Sequence, residues 1–200
     1  MEAIREANAV SDKKAEIFRC GKEIFSAKGF KSTNVTDITK KAGIAAGTFY
    51  NYYASKEKLF MEIFLAENAK LKEELLASID LNGEPIDITK QMMYLNLKGI
   101  SENPILREWY NREVFSKIEQ HYHEENGIEQ VNFIYDFFLE VVIKWQEEGK
   151  MRRDISAEMI MAIFGALINI DLHKDEIGLQ YFPKVMEYMA EFVMKGLTGK

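Results

Sequence analysis

Apolar residues recur every three or four positions along most of this chain, a spacing that predicts α-helices rather than strands. In the first predicted helix this apolar face comprises Ile17, Phe18, Gly21, Ile24 and Phe25. Ser11 suits the start of that helix because its hydroxyl can accept a free backbone N–H, and Gly29 suits its end. The strict apolar–polar alternation of strands does not occur. The pattern therefore predicts an all-α protein.

Two short helical patterns follow the first helix and are separated by a glycine turn. Asn34 is a good N-cap for the first of them, Val35–Ala42, and Asp37 can face the same exposed N–H groups. Gly43 ends this helix, and a second short helix begins two or three residues later and runs to Tyr53. Helix, glycine turn and helix after a longer amphipathic helix predict a helix-turn-helix unit.

A long helix is predicted next, from Lys56 to about Ile79, with Ser55 as its cap. Further helices are predicted near Ile88–Ser101, Pro104–Glu124, Ile128–Glu148, Ser156–His173 and Phe182–Leu197. The chain is thus expected to have about nine helices in two domains. Residues 1–55 form the three-helix unit, with 1–10 as an extension, and residues 56–200 form a helical body.

Charge is distributed unevenly between these two parts. Residues 1–60 carry 11 Lys and Arg against 7 Asp and Glu, a net charge of +4, whereas residues 61–200 carry 15 against 25, a net charge of −10. A basic segment can meet phosphates, while the acidic remainder will not coat nucleic acid indiscriminately. No apolar run approaches the ~20 residues that span a bilayer, and the N-terminus lacks a signal peptide. We therefore expect a cytoplasmic protein with no membrane partner.

Several specific residues occur together in the first part of the chain. They are Gly29-Phe30, Ala42-Gly43-Ile44, Gly47-Thr48-Phe49-Tyr50, Tyr52-Tyr53 and Lys56-Glu57. With these motifs, residues 11–60 resemble the DNA-binding domain of the tetracycline-repressor (TetR) family of bacterial regulators. The resemblance implies a homodimeric, ligand-responsive transcriptional repressor. Its N-terminal domain would bind a palindromic double-stranded DNA operator, and its helical body would bind a small-molecule effector and dimerise.

By position, the resemblance assigns DNA contacts to eight residues. Phosphate contacts fall to the backbone of Val35 and to Tyr50, Tyr52 and Lys56, and base contacts fall to Thr36, Ala46 and Thr48. Gly47 adds no bulk to the recognition helix, which can then lie close to the major groove. Taken singly, tyrosines at these positions are ordinary core residues and a lysine at a helix start is ordinarily solvated.

Two alanines depart from the usual pattern of the family. The residue after Ile44 is often serine, whereas here it is Ala45, so an N-cap worth ~1 kcal/mol is missing. Ala46 stands where a longer polar residue is common. An alternative function therefore stays open, namely a helical ligand-binding or protein-interaction module that does not read specific DNA.

The last two predicted helices carry broad apolar faces with small residues between the large ones. The resemblance implies that this pair forms the dimer interface, through Ile160, Phe164, Leu167, Met186, Met189 and Val193. Either stripe also suits the internal core, and we expect one face of each helix to lie there.

Aromatic and methionine side chains are dense between residues 88 and 148. The ligand pocket that the resemblance implies is assigned to Met92, Asn96, Trp109, Tyr110, Glu113, Phe137, Phe138, Asn169 and Asp171. The polar members of this set would orient a ligand inside an apolar cavity. The same aromatic residues equally suit a packed core.

Catalytic and metal-binding patterns are missing from the sequence. His121 and His123 face different directions on a helix, so they cannot chelate one metal ion together. There is no phosphate-binding loop, nucleophile elbow, HExxH or CxxC motif. We predict no enzyme activity, no cofactor and no metal.

Overall fold

The computed structural model describes the chain except residues 1, 112, 115, 119–120, 122–131, 173, 183 and 200, and it leaves the side chains of 2–11, 132–134, 168–169, 171–172, 174–175 and 179 undescribed. Regular structure in the described part is helical throughout, which confirms the all-α prediction. The α-helices there are α1 (Glu2–Ser32), α2 (Val35–Ala42), α3 (Ala46–Tyr50), α4 (Lys56–Ser78), α5 (Pro85–Glu102), α6 (Asn132–Glu147), α7 (Ala157–Leu172), α8 (Lys174–Ile177) and α9 (Lys184–Thr198). None of these described helices is both long and apolar enough to cross a bilayer.

The chain divides into two compact units. The first comprises Met1–Lys70 and Gly99–Ile128, and the second comprises Leu71–Lys98 and Glu129–Lys200. Two of the three boundaries between the units fall inside α4 and α5, and the third lies outside the described residues. The division predicted after residue 55 separates a DNA-binding part from an effector-binding and dimerisation part, and it stays a prediction.

Helix α1 starts earlier than predicted and is interrupted near its end. It begins at Glu2 and passes through Ser11 without a break. The reason is that residues 2–10 are rich in alanine, glutamate and arginine, which favour helix continuation. Gly29 has φ 77° and ψ 166°, which lies outside the helical region, so the regular part of α1 ends there as predicted.

Local side-chain chemistry fixes the bounds of α2. The Asn34 side chain accepts a hydrogen bond from the Asp37 backbone N–H at 2.8 Å, and the Asp37 carboxylate accepts one from the Asn34 N–H at 3.4 Å. This capping box confirms the predicted N-cap. Gly43 ends the helix in the left-handed conformation, at φ 65°.

Helix α3 is shorter than predicted and ends at Tyr50 instead of Tyr53. The N–H groups of Asn51 and Tyr52 donate to the carbonyls three residues before them, which closes the helix with a tighter turn. As the sequence indicated, Ala45 provides no side-chain cap. Helix α4 then starts at Lys56, and the Ser55 hydroxyl accepts from the Lys58 N–H at 3.2 Å, which confirms the predicted cap.

A continuous helix from Pro104 to Glu124 was a wrong prediction. Residues Leu106–Tyr110 form a 3₁₀ helix, and Asn111 is extended at φ −87° and ψ 105°. The Asn103 side chain starts this segment, because its oxygen accepts from the N–H groups of the two residues after Pro104, at 2.9 and 3.3 Å. The later part of the predicted helix includes residues outside the described ranges.

Aromatic packing forms the core of the first unit. The rings of Phe25, Phe30 and Phe60 lie 4.9 to 6.0 Å apart, and each is at most 1% exposed. The core of the second unit joins Ile88 of α5, Trp145 of α6, Ile160 of α7 and Met194 of α9. The predicted α5, α7 and α9 agree with the structure to within a few residues.

Candidate nucleic-acid interface

Helices α2 and α3 bury one set of side chains and expose another. Ile38 and Phe49 are fully buried and Tyr53 is nearly so, which confirms that Phe49 and Tyr53 are packing residues. Of the residues assigned to DNA, Thr36, Ala46, Gly47 and Tyr50 are exposed, and Val35, Thr48 and Tyr52 are half-buried. The two short helices therefore present the predicted residues outward while the larger apolar ones hold them to α1 and α4.

Tyr50, the last residue of α3, and Tyr53, three residues later, differ sharply in exposure. The Tyr50 ring packs edge-on against Phe49 at 5.4 Å, and 57% of the side chain is exposed. Tyr53 is 4% exposed, and burial, followed by the charge of Glu62, raises the pKa of its hydroxyl. Only Tyr50 of this pair has a hydroxyl on the outer surface, where a phosphate oxygen can accept from it.

Gly47 lies on the exposed side of α3, where nothing in the fold requires glycine. Its backbone is helical, and a Cβ added to it would meet no atom within 4 Å. A surface glycine in a helix costs about 0.5–1 kcal/mol relative to alanine. Neither packing nor backbone conformation explains this cost.

The ammonium group of Lys56 is engaged within its own unit. Its Nζ donates to the carbonyl oxygens of Phe30 at 3.0 Å and Thr33 at 2.8 Å, and it lies 4.2 Å from the centre of the Phe30 ring. Burial lowers the pKa of this lysine. These contacts, which sequence reasoning missed, use two of its three N–H donors. The predicted phosphate contact stays a prediction.

Ion pairs occupy several other lysines of this region. Lys28 lies 3.3 Å from the Asp37 carboxylate, and Lys41 lies 2.8 Å from that of Glu23. These pairs are solvent-exposed on their lysine side, so they hold the cations near α2 without removing them from the surface.

Comparison with known proteins places this geometry in a family. The sequence model described as bacterial regulatory proteins, tetR family, matches residues 17–63, which run from α1 through α2 and α3 into α4. The HTH-type transcriptional regulator YdgC of Bacillus subtilis strain 168 is 40% identical over 72 residues, which are 34% of this chain and 36% of that protein. The chain thus covers about a third of the length of that relative.

Longer but weaker matches extend over most of the chain. The HTH-type transcriptional repressor KstR2 of Mycobacterium tuberculosis is 23% identical over 159 residues, 78% of either protein. The structure of Thermus thermophilus FadR, a TetR family repressor in complex with lauroyl-CoA, matches with a TM-score of 0.60 at 23% identity and covers 91% of both chains. Residues 17–63 of this chain are therefore similar to the TetR family. At such identity the likeness to FadR shows the fold alone.

Three of the predicted effector-binding residues lie in the first unit. Trp109 is buried and stacks on Phe64 with ring centres 5.3 Å apart. Tyr110 is half-buried. Glu113 is 68% exposed and pairs with Lys31, and that lysine lowers the pKa of its carboxyl. Glu113 is therefore a surface residue, which does not support its predicted place in an apolar pocket.

The other predicted effector-binding residues lie in the second unit. Met92, Phe137 and Phe138 are partly buried against its core, and Asn96 accepts a hydrogen bond from Lys72. The side chains of Asn169 and Asp171 lie outside the described residues. A groove of about 370 Å³ opens in this unit, and it is lined by Ile86, Thr89, Lys90, Met93, Tyr94, Leu97, Glu187, Ala190, Glu191 and Met194. None of the predicted residues lines that groove.

The predicted dimer residues divide between two sides of α7 and α9. Ile160 is fully buried and Leu167 is 8% exposed, so both belong to the core of their own unit and were wrongly assigned to a partner surface. Phe164 and Val193 pack partly against this core. Met186 and Met189 are half-buried. Sequence reasoning failed here because α7 is apolar on both sides, and the pattern alone does not say which side faces inward.

Large apolar side chains outside the six residues assigned to the dimer interface are exposed on the same two helices. Phe192 is 66% exposed, Met159 57% and Tyr188 50%, and the rings of Tyr188 and Phe192 stack with centres 6.1 Å apart. A single exposed apolar residue is common on proteins, but a stacked pair of exposed rings such as Tyr188 and Phe192 suits a surface that another molecule covers. We call the three exposed side chains of α7 and α9, Met159, Tyr188 and Phe192, the apolar patch.

Proposed function

We propose that this protein is a ligand-responsive transcriptional repressor of the TetR family that binds a palindromic DNA operator as a homodimer in the cytoplasm. The observation that carries the proposal is the outer face of α3, where Gly47 has no structural need to be glycine and Ala46 and Tyr50 are exposed beside it. Small residues there let a helix approach base edges in the major groove. No catalytic step is part of the proposal.

In this proposal two groups of residues divide the contacts with DNA. Thr36, Ala46 and Thr48 meet base edges, while Tyr50, Tyr52, Lys56 and the backbone of Val35 meet phosphates. The exposure of Thr36, Ala46 and Tyr50 supports the division. Phosphate contacts fix the register of a protein on the duplex, and base contacts select the sequence.

The apolar patch is proposed as part of the dimer interface. A homodimer with two-fold symmetry places two copies of α3 on successive half-sites, which explains why the operator should be palindromic. Two stacked aromatic rings and a methionine are the kind of anchors that dominate such interfaces. Residues 56–200 would provide both this interface and the effector site.

The effector is proposed to be a small molecule that the second unit binds among partly buried residues such as Met92, Phe137 and Phe138. Lauroyl-CoA, which is bound to the related FadR, is a suitable first probe because a long acyl chain suits apolar and aromatic linings. Weakening of operator binding by an effector requires that the operator weaken effector binding by the same factor.

Selection from random DNA tests the proposal directly. Purified protein is incubated with a random duplex pool over several rounds, and bound sequences are read. We expect enrichment of one palindromic site, whose affinity falls steeply as salt rises. Binding of random duplex without enrichment would favour the alternative, a helical ligand-binding module that does not read specific DNA, for which the absence of a cap at Ala45 is the supporting observation.

A further inference from the structure

The turn between α1 and α2 is held by an unusual number of side chains. The Thr33 hydroxyl donates to the carbonyl of Gly29 at 2.8 Å, and the Thr33 N–H donates to that of Phe30 at 3.3 Å. Lys56, at the start of α4, binds the carbonyls of Phe30 and Thr33. These bonds fix the chain just before Asn34, the residue that caps α2.

The backbone N–H of Phe30 is bound by a residue far away in the sequence. It donates to the Glu108 carboxylate at 3.0 Å, across a separation of 78 residues, in a part-buried position. The other oxygen of Glu108 accepts from the Asn111 side chain at 3.0 Å, which orients the carboxylate. Glu108 lies in the 3₁₀ helix Leu106–Tyr110, which belongs to the same unit.

Gly29 has the conformation and the space that this bond requires. Its φ of 77° turns the chain so that the next N–H points outward from α1. A Cβ at this position would lie 2.9 Å from the Glu108 oxygen. The glycine thus allows the carboxylate to reach the backbone.

Phe30 is consequently fixed at three points. Its ring is 1% exposed among Phe25 and Phe60, its carbonyl is bound by Lys56, and its N–H is bound by Glu108. Helix α2 starts five residues later at Val35, and α3 packs on α2. A shift of Phe30 is therefore transmitted to the helices that face DNA.

We propose that Glu108 is a positioning residue for DNA recognition, acting through the Phe30 N–H on the turn from which α2 starts. The inference rests on the proposed DNA-binding function. It adds a residue that does not touch DNA and lies outside residues 17–63, which the family model matches. It also means that the 3₁₀ segment, through Glu108, helps to hold α2 and α3 in position.

Three variants separate positioning from simple stabilisation. Glu108→Ala removes the acceptor, while Glu108→Gln keeps a carbonyl oxygen that can accept from Phe30. Glu113→Ala is the matched control, because Glu113 is a carboxylate of the same segment that is exposed and pairs with Lys31. The readouts are exchange of the Phe30 amide by NMR, thermal unfolding, and affinity for the operator that the wild type selects, measured well below the unfolding temperature.

We expect Glu108→Ala to speed exchange of the Phe30 amide and to weaken operator binding about tenfold or more, since a hydrogen bond to a charged group is lost. Glu108→Gln should restore most of both, and Glu113→Ala should change neither. If Glu108→Ala does not fold, Glu108→Asp provides the same test, because it keeps the charge but withdraws the carboxylate by one methylene. It should also show faster exchange and weaker binding.

Two results would overturn the inference. The first is wild-type operator affinity in folded Glu108→Ala or Glu108→Asp, and the second is equal loss of affinity in Glu108→Ala and Glu113→Ala. A wild-type protein that selects no operator would refute the proposed function itself, so the two failures are distinguishable.

Discussion

Gly47 lowers the stability of α3, and its proposed benefit is to DNA binding. Its Gly47→Ala variant fills open space on α3, so we expect the free energy of unfolding to rise by about 0.5–1 kcal/mol. The added methyl group holds α3 away from the base edges, and we expect operator affinity to fall about tenfold or more. Denaturant unfolding and titration with the selected operator measure the two effects.

Gly47→Ala is expected to raise stability and to lower operator affinity, so a general loss of folding cannot explain both effects. Ser26→Ala, at an exposed position of α1, is the matched control, because it also raises helix propensity on the surface of the same unit. It should stabilise the protein slightly and leave operator affinity unchanged. A Gly47→Ala protein that is more stable and binds DNA as well as the wild type would remove the main support for α3 as the recognition helix.

Thr48 and Tyr50 should respond differently to substitution although they are two residues apart. We expect Thr48→Ala to change which base is preferred at one position of each half-site, since its hydroxyl is proposed to meet a base edge. Tyr50→Phe removes a proposed phosphate contact and should weaken binding to all operator variants by a similar factor. Affinities for the selected operator and its single-base variants distinguish the two. A uniform loss in Thr48→Ala would contradict its assignment.

At the scale of elements, Glu67 joins three parts of the first unit. Its carboxylate, 12% exposed on α4, accepts from Lys22 of α1 and from the Asn103 side chain at 2.8 Å. Burial alone would raise the pKa of this carboxyl, but the bonds from Lys22 and Asn103 outweigh burial and lower it below its ordinary 4.5. Glu67 therefore stabilises the folded state in its ionised form.

Stability should depend on pH through this residue. A carboxyl with a lowered pKa contributes stability that is complete above about pH 4.5 and is lost as pH falls through its folded pKa. We expect Glu67→Gln to lower the free energy of unfolding by about 1–2 kcal/mol at pH 7, and the difference from the wild type to shrink on acidification below pH 4.5. Denaturant unfolding at several values between about pH 2.5 and pH 7 measures it.

The exposed pair between Lys184 and Glu187 provides the control for that prediction. Glu187→Gln should change stability by less than about 0.5 kcal/mol at neutral pH, because exposed pairs contribute little. A Glu67→Gln difference that persists undiminished at the lowest pH would show that the loss comes from packing and not from the ionised carboxylate.

Sequence reasoning succeeded where the determinants of an element are local. The capping box of Asn34 and Asp37 and the left-handed Gly43 involve residues at most three positions apart, so the bounds of α2 followed from the sequence. The contacts of Phe30 with Lys56 and Glu108 span 26 and 78 residues. No local pattern indicates such bonds, and for the same reason the 3₁₀ segment that carries Glu108 was predicted as ordinary helix.

The assignment of faces on α7 failed for a different physical reason. Both sides of α7 are apolar, and burial is decided by which side meets Trp145 and Met194 in the folded unit. Ile160 is on that side and Met159, its neighbour in sequence, is exposed. The sequence predicted the helices that carry the apolar patch, but not that Tyr188 and Phe192 are exposed on them.

At the scale of the whole molecule, the apolar patch predicts how the protein assembles. We expect Phe192→Glu to give a folded monomer, because a charge in the centre of an apolar interface is costly to bury. The monomer should bind the palindromic operator at least tenfold more weakly, since only one half-site is engaged at a time. Sedimentation velocity and operator titration measure both effects.

Tyr94→Glu is a matched control for that variant. Tyr94 is an aromatic residue of the same unit with nearly the same exposure, 65% against 66% for Phe192, but it lies outside the apolar patch. Its substitution should leave the dimer intact. A dimeric Phe192→Glu protein, or a monomeric Tyr94→Glu protein, would show that the interface lies elsewhere.

The discontinuity of the first unit has a consequence for exchanging parts between regulators. Residues 1–70 include every residue assigned to DNA. Three of their contacts come from the second segment of the unit, Gly99–Ile128: Asn103 binds Glu67, Glu108 binds the Phe30 N–H, and Trp109 stacks on Phe64. Consider a hybrid that takes only residues 1–70 from this protein and the rest from another regulator. In that hybrid Glu67, Phe30 and Phe64 would lack the residues that contact them here. Functional hybrids should therefore require two grafted segments, and natural recombination between such genes should succeed most often when both are inherited together.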